Sequence, residues 1–306
     1  MKSIQQVRSE EAGDWDRNAE FYRDDDAFFL MQDLARRREE FYGIAPGRRV
    51  LDLGCGSGAV VAQLRAGGVD AAGVDYSAAM VAVAHEEFGL GEHVARADAS
   101  DLPFEDNSFD VVMANGVFHH LAVQHELAGS LREVFRVLRP GGRLCCFDRN
   151  GGVVSNLMTF VCIGAKELLR IVTRRERFAS CASRNEIPFG SAADLKAIAQ
   201  HGFRITRRRD VSTLPMHLAV VMLNALQYFV SQRLRWTIEG RICRLLSWID
   251  TVCSWHWFCV EQFVVFETCK QKSLPAAHVL PQRLASVQTT IGTPLADEGE
   301  QDAVGF

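Results

Sequence analysis

The stretch VLDLGCGSG, Val50–Gly58, constrains this chain more than any other. Val50, Leu51 and Leu53 make an apolar strand, glycines follow at 54, 56 and 58, and residues 57–66 can continue as a helix. A strand that passes through a glycine turn into a helix offers backbone amides and the positive helix end to a ligand, the common seat of a nucleotide-like cofactor. The rhythm continues from there. Apolar strands are predicted at 49–53, 70–74, 93–97, 109–114 and 142–148, alternating with helices at 57–66, 77–87 and 123–138. Gly67-Gly68, Pro103 and Pro140-Gly141-Gly142 punctuate the series where turns are needed. In LRPGG the proline stops a helix and the glycines turn the chain into the fifth strand, a structural role. Such alternation predicts an α/β fold, a doubly wound, mostly parallel sheet with helices on both faces.

Past Asn150 the rhythm lapses. Residues 151–190 read as an insertion, an apolar piece followed by a basic one, before helix 191–201, with Ser191 as N-cap and Asp194 three residues on. Gly202 stops that helix and strand 203–211 follows. A second insertion, 212–254, carries an amphipathic helix with Leu234, Ile238, Ile242, Leu245 and Ile249 on one face. A last strand is predicted at 257–268, for seven strands in all, and 271–306 reads as a disordered tail.

Composition narrows the function classes. The 306 residues are 48% hydrophobic and 24% charged, an ordinary globular balance, and the formal net charge of −4 gives no global field for nucleic acid. Nine cysteines, none in a C-x-x-C pair and most in apolar surroundings, suit reduced core thiols in the cytoplasm, with neither a metal site nor a disulfide framework. The first sixteen residues lack the apolar region of a secretory signal. The longest apolar stretches, Leu214–Val230 and Trp255–Phe266, are interrupted by polar residues and fall short of a membrane span, which needs about 20.

The glycine turn alone leaves two cofactors open. Gly54, Gly56 and Ala59 satisfy G-x-G-x-x-[GA], and Asp75 lies 21 residues after Gly54, where a dinucleotide fingerprint expects its ribose acid. The extra glycine at 58 and the acid at 52, in D-x-G-x-G, point elsewhere, because a carboxylate there can accept from a ligand ammonium group. NAD has none; S-adenosylmethionine has one, and lacks the pyrophosphate.

Four stretches, VLDLGCGSG (50–58), GVDYS (73–77), ADASDLPFEDNSFDVVMANGVFHHL (97–121) and LREVFRVLRPGGRLCCFD (131–148), resemble in order and spacing the class I S-adenosylmethionine-dependent methyltransferases. Within that family the chain is similar to the small-molecule branch that includes the ubiquinone and menaquinone C-methyltransferases. The resemblance implies a Rossmann-like seven-stranded sheet with S-adenosyl-L-methionine as cofactor. It also implies roles. Gly54, Cys55, Gly56 and Gly58 form the turn against the cofactor, and Asp52 lies near its amino-acid end. Asp75 takes the two ribose hydroxyls, Tyr76 lies along the adenine, and Asp98 with the Ala99 backbone bonds the adenine amino group. Asn115 stands beside the methionine portion. Residues 14–22, D-W-D-x-x-A-x-x-Y, resemble an N-terminal lid, with Tyr22 over the cofactor.

His119 and His120, just past the fourth strand, are candidates for a base that removes an acceptor proton, or for a positional or adenine-covering role, since methyl transfer to a small molecule can proceed by proximity alone; His125 and His201 read as surface histidines. One methyltransferase domain is thus expected over 1–270: a helical lid in 1–45, a cofactor core in 46–150, and helical insertions that cap the site. The insertions are rich in Leu, Val, Phe and Trp, which suits a small lipophilic acceptor such as a quinone, lipid or polyketide, or equally a core or dimer interface. Peripheral membrane contact, and monomer against homodimer, stay open. Two other classes compete. A nicotinamide-dependent oxidoreductase leaves 97–121 unexplained, and a non-catalytic partner subunit would have lost cofactor residues that are all present here.

Overall fold

Strand β1, Arg49–Leu53, shows why this part of the chain folds as it does: every residue after Arg49 is buried, on both faces of the strand. A strand covered on both sides needs a continuous apolar run, and side chains that alternate direction then feed two separate cores. A computed structural model describes residues 13, 16, 39–123, 126–157, 161, 164, 171, 190–213 and 259–270. The chain divides after Gln271, and every described residue lies before that point.

The strands are β1, β2 (Asp70–Asp75), β3 (Val94–Arg96), β4 (Phe109–Asn115), β5 (Leu138–Arg149), β6 (Phe203–Thr213) and β7 (Cys259–Thr268). They form one sheet in the order β3-β2-β1-β4-β5-β7-β6. All neighbours are parallel except β7, which runs antiparallel to both β5 and β6. The helices are α1 (Ala59–Ala66), α2 (Ala78–Phe88), α3 (Phe118–Val123), α4 (Leu127–Val137) and α5 (Ala192–Gln200). This is the Rossmann-like doubly wound fold expected.

Leu51, Leu53, Val112, Ala114, Leu144 and Phe266 point to one face, where α4 and α5 cover them with Leu131, Val134, Leu195 and Ile198. Val50, Val111, Met113, Cys145, Phe263 and Val265 point to the other, against Val61 and Leu64 of α1 and Val81 and Ala84 of α2. Each fully buried side chain of this kind contributes about 1.5–3 kcal/mol. Helix ends follow local chemistry. Ser77 caps α2 through the Met80 amide, Gly89 ends it in the left-handed region, and Ser191 with Asp194 forms a reciprocal capping box on α5.

Two expectations are corrected. The helix predicted at 123–138 is α4, which begins four residues later at Leu127, and a separate short helix, α3, precedes it unpredicted because FHHLAV is too short to show a helical period. The strand predicted at 142–148 begins four residues earlier. Phe109 faces Leu138 while Val111 already faces Arg143, so Pro140-Gly141-Gly142 sits in a bulge within β5 instead of a turn before it.

The carboxyl ends of β1, β2, β4, β5 and β6 share one edge of the sheet. The strand order reverses between β1 and β4, where ligands bind in open α/β sheets. Buried amides join the chain on that edge: Gln262 Nε2 donates to the carbonyls of Arg149 and Gly190, each at 2.7 Å, and Asn150 Nδ2 to that of Cys259 at 2.6 Å. The segments 151–189 and 214–258 therefore begin and end at the edge that carries the glycine turn.

Candidate active site

The three glycines of the turn have positive φ, 71° at Gly54, 54° at Gly56 and 79° at Gly58, but different surroundings. A Cβ on Gly54 would stand 2.6 Å from Val117 Cγ2, and one on Gly58 2.6 Å from Leu90 Cδ1 and 2.9 Å from Ala84 Cβ. At Gly56 it would meet none of the described residues within 4 Å. Of the three, Gly56 alone opens onto space free of described residues; the other two are small so that the chain can pack on itself, a distinction the motif does not reveal. The turn is held by the amides of Gly54 and Cys55, which donate to the Val74 carbonyl at 2.8 and 3.0 Å.

Beside Gly56 stands Asp75, at the end of β2. The Gly56 amide donates to its Oδ2 and the Ser77 amide to its Oδ1, both at 2.8 Å. Burial pushes this carboxyl above its ordinary value in spite of backbone amides, and the charge of Asp16 adds a smaller push. An acid held where ionisation is disfavoured costs stability, which points to a use for it. Each oxygen already accepts an amide, so hydroxyls of a ligand would use its remaining lone pairs.

Asp52, 3% exposed, lies on β1 and receives the Asn115 amide at 3.5 Å, and the Tyr42 hydroxyl donates to Asn115 Oδ1 at 3.2 Å. Tyr42, fully buried, therefore orients the Asn115 amide, a role the sequence reading missed; FYG just before the first strand was its only signal. Tyr76 is 42% exposed, and the Arg96 guanidinium lies 5.7 Å from its ring centre. Asp98 follows β3, where the Ala97 amide donates to the Asp75 carbonyl, and its Oδ1 accepts the amide and hydroxyl of Ser100 at 2.8 and 2.7 Å. Ala99 packs against the first core. The Cys55 thiol turns inward, 2.8 Å from where a Gly73 Cβ would stand, and burial with the charges of Asp52 and Asp75 pushes its pKa well up. So placed, the thiol is kept protonated, the form that is a poor nucleophile.

His119 and His120 open α3, their rings 4.0 Å apart. His119 Nδ1 meets Asp148 Oδ1 at 3.1 Å, and its backbone amide meets Oδ2 at 3.4 Å. Asp148, at 7% exposure near the end of β5, also accepts the Arg149 amide at 2.9 Å. A carboxylate that accepts from Nδ1–H leaves Nε2 as the ring's basic nitrogen. Asp148 was not among the sequence candidates, since a lone acid in an apolar strand gives no signal until its partner is known. Val117, two residues before His119, packs on Gly54, so the pair adjoins the turn. Trp15, Tyr22, His125 and most of the two insertions lie outside the described residues.

Among the described residues, the charged side chains bordering the turn, Asp52 and Asp75, are both acids. Asp75 suits the ribose diol of either cofactor, and it is Asp52 that suits a ligand ammonium group. Among the described residues no helix is long and apolar enough to cross a membrane.

Comparison with known proteins agrees. Residues 51–146 match the family described as a methyltransferase domain. The demethylmenaquinone methyltransferase of Clavibacter sepedonicus is 38% identical over 105 residues, 33% of this chain and 42% of that protein. The 27-O-demethylrifamycin SV methyltransferase of Amycolatopsis mediterranei (strain S699) is 35% identical over 136 residues, 42% of this chain and 49% of that protein. The chain thus spans less than half the length of these curated relatives. Among solved structures, the geranyl diphosphate C-methyltransferase of Streptomyces coelicolor A3(2) superposes with a TM-score of 0.50 at 17% identity, covering 78% of this chain and 79% of that one, which speaks for the fold.

Proposed function

We propose that this chain, which carries a class I S-adenosylmethionine-dependent methyltransferase domain, transfers a methyl group to a small, lipophilic acceptor in the cytoplasm or at a membrane surface. The observation that carries the reading is the opening at Gly56 beside Asp75, in a turn whose Cys55 feels the charges of both Asp52 and Asp75. In this reading Asp75 takes the ribose hydroxyls, Tyr76, Asp98 and Ala99 surround the adenine, and Asp52 and Asn115 face the methionine end. Tyr22 belongs to the same proposal. The cofactor supplies a methyl group already activated by positive sulfur.

The protein's own share is to orient, exclude water and move a proton. Asp148 holds His119 by Nδ1, so that Nε2 can take a proton from an acceptor hydroxyl or acidic carbon as the nucleophile forms; His120 packs on the same ring. The relatives named for a quinone and for a rifamycin oxygen support an acceptor of that chemistry. Calorimetry is expected to show binding of S-adenosylhomocysteine and none of NADH. Incubation with labelled cofactor and a prenylated hydroquinone or a phenolic polyketide is expected to add one methyl mass. Binding of NADH in place of S-adenosylhomocysteine would falsify the reading.

A further inference from the structure

We propose that Asp16 is a positioning residue for the cofactor: docked on the amino end of α2, it fixes Asp75 and slows the release of a ligand held there. The inference rests on the reading of Asp75 as the ribose acid.

Asp16 lies 61 residues before Ser77, yet its Oδ1 accepts the Ser77 hydroxyl at 2.5 Å and the Ala79 amide at 3.3 Å. Local chemistry explains the fit. The Ser77 side chain is spent as the N-cap of α2, accepting the Met80 amide at 3.1 Å, so its single hydroxyl hydrogen is left to donate. The Ala79 amide is one of the first-turn donors that a helix cannot satisfy internally. Asp16 takes both, and its negative charge suits the positive end of the helix.

The consequence reaches the site. The Ser77 amide donates to Asp75 Oδ1 and the Gly56 amide to Oδ2, so three hydrogen bonds in series run from Asp16 through Ser77 and Asp75 to the open glycine of the turn. Ser77, 2% exposed, links the two halves of that series: its hydroxyl donates to Asp16 and its amide to Asp75. With Asp16 in place, Ser77 is held by its hydroxyl and α2 by its second amide, and the Asp75 carboxylate keeps one orientation. Without Asp16 the hydroxyl loses its acceptor, the amino end of α2 loosens, and Asp75 can turn away from a diol. By linkage, a ligand that needs Asp75 oriented also strengthens the docking of Asp16.

The dissociation rate of S-adenosylhomocysteine from the full chain, measured by stopped flow, tests this. Asp16→Ala is expected to speed release about tenfold, as for loss of a hydrogen bond to a charged group. Asp16→Asn, whose Oδ1 can accept from the same two donors, is expected to restore release to within about twofold of wild type. A residue that only caps α2 would lower the thermal midpoint of Asp16→Ala and leave release unchanged, and that result overturns the inference. Equal release from all three chains, with binding intact, overturns it as well and leaves the methyltransferase reading standing. Failure of the wild-type chain to bind S-adenosylhomocysteine overturns both.

Discussion

Strand β2 begins at Asp70 and ends at Asp75, and the two carboxylates live in opposite surroundings. Asp70 is exposed and lies 3.6 Å from Arg49 and 3.8 Å from Arg65. Asp75 is held by backbone amides, and burial raises its pKa. The contrast extends across the sheet. At the amino edge Asp110 accepts the Arg49 amide at 2.9 Å and lies 2.9 Å from Arg139, and these donors overcome burial and lower its pKa. Glu133 is lowered first by its bond to Arg136, which also holds the carbonyls of Leu102 and Phe104. Acids at the amino edge are paired with cations and stabilise the fold, whereas Asp75 and Asp52 at the carboxyl edge meet amides. One edge is braced by ion pairs, and the other leaves its acids to backbone and side-chain amides.

The largest expected effect lies at the carboxyl edge. His119→Gln is predicted to lower turnover by about 10²–10⁴-fold, the usual worth of a general base, with S-adenosylhomocysteine affinity unchanged by calorimetry. A loss below about tenfold would assign the ring a positional role. Next, the glycine turn should split. Gly58→Ala, driven into Leu90 and Ala84, is expected to lose about 2–3 kcal/mol in urea denaturation. Gly56→Ala should lose only about 1 kcal/mol, the cost of its left-handed φ, but weaken the cofactor more than Gly58→Ala does. Equal stability losses would remove the distinction drawn between them.

Asp75→Ala is predicted to weaken cofactor binding by about 1–3 kcal/mol, while Asp70→Ala leaves it unaltered. The pH signs also differ between the edges. A carboxyl with a raised folded pKa contributes stability below its unfolded value, about 4, and loses it as pH rises through the folded value. The stability of wild type relative to Asp75→Asn should therefore fall from acid to neutral pH. For Asp110, whose pKa is lowered, the stability of wild type relative to Asp110→Asn should instead be present at neutral pH and fall as pH drops through the lowered value. This is the smallest effect, about 0.2–1 kcal/mol in equilibrium unfolding at pH 7. A parallel pH trend for the two variants would break the comparison.

Much of the fold was legible because its signals are local. The apolar runs, the glycine turn, the Ser191–Asp194 box and Gly202 each act within a few residues, and the sheet follows from their alternation. The elements misjudged were those in which local signals conflict. FHHLAV is shorter than two helical turns, and Pro140-Gly141-Gly142 has the chemistry of a turn although β4 and β7 hold its flanks as strand.

By itself the sequence determined the strand–turn–helix and the placing of the acids at 52, 75 and 98 around it, because spacing along one chain segment sets which groups surround a turn; the cofactor came from the family resemblance carried by four stretches in order. The tertiary structure alone decided which glycine of the turn faces open space among the described residues, that Asp148 holds His119, that Tyr42 orients Asn115, and that Asp16 reaches Ser77. Those pairs are 29, 73 and 61 residues apart. No local pattern encodes such contacts, since they exist only once the strands have paired and brought the ends of β4 and β5 to one edge.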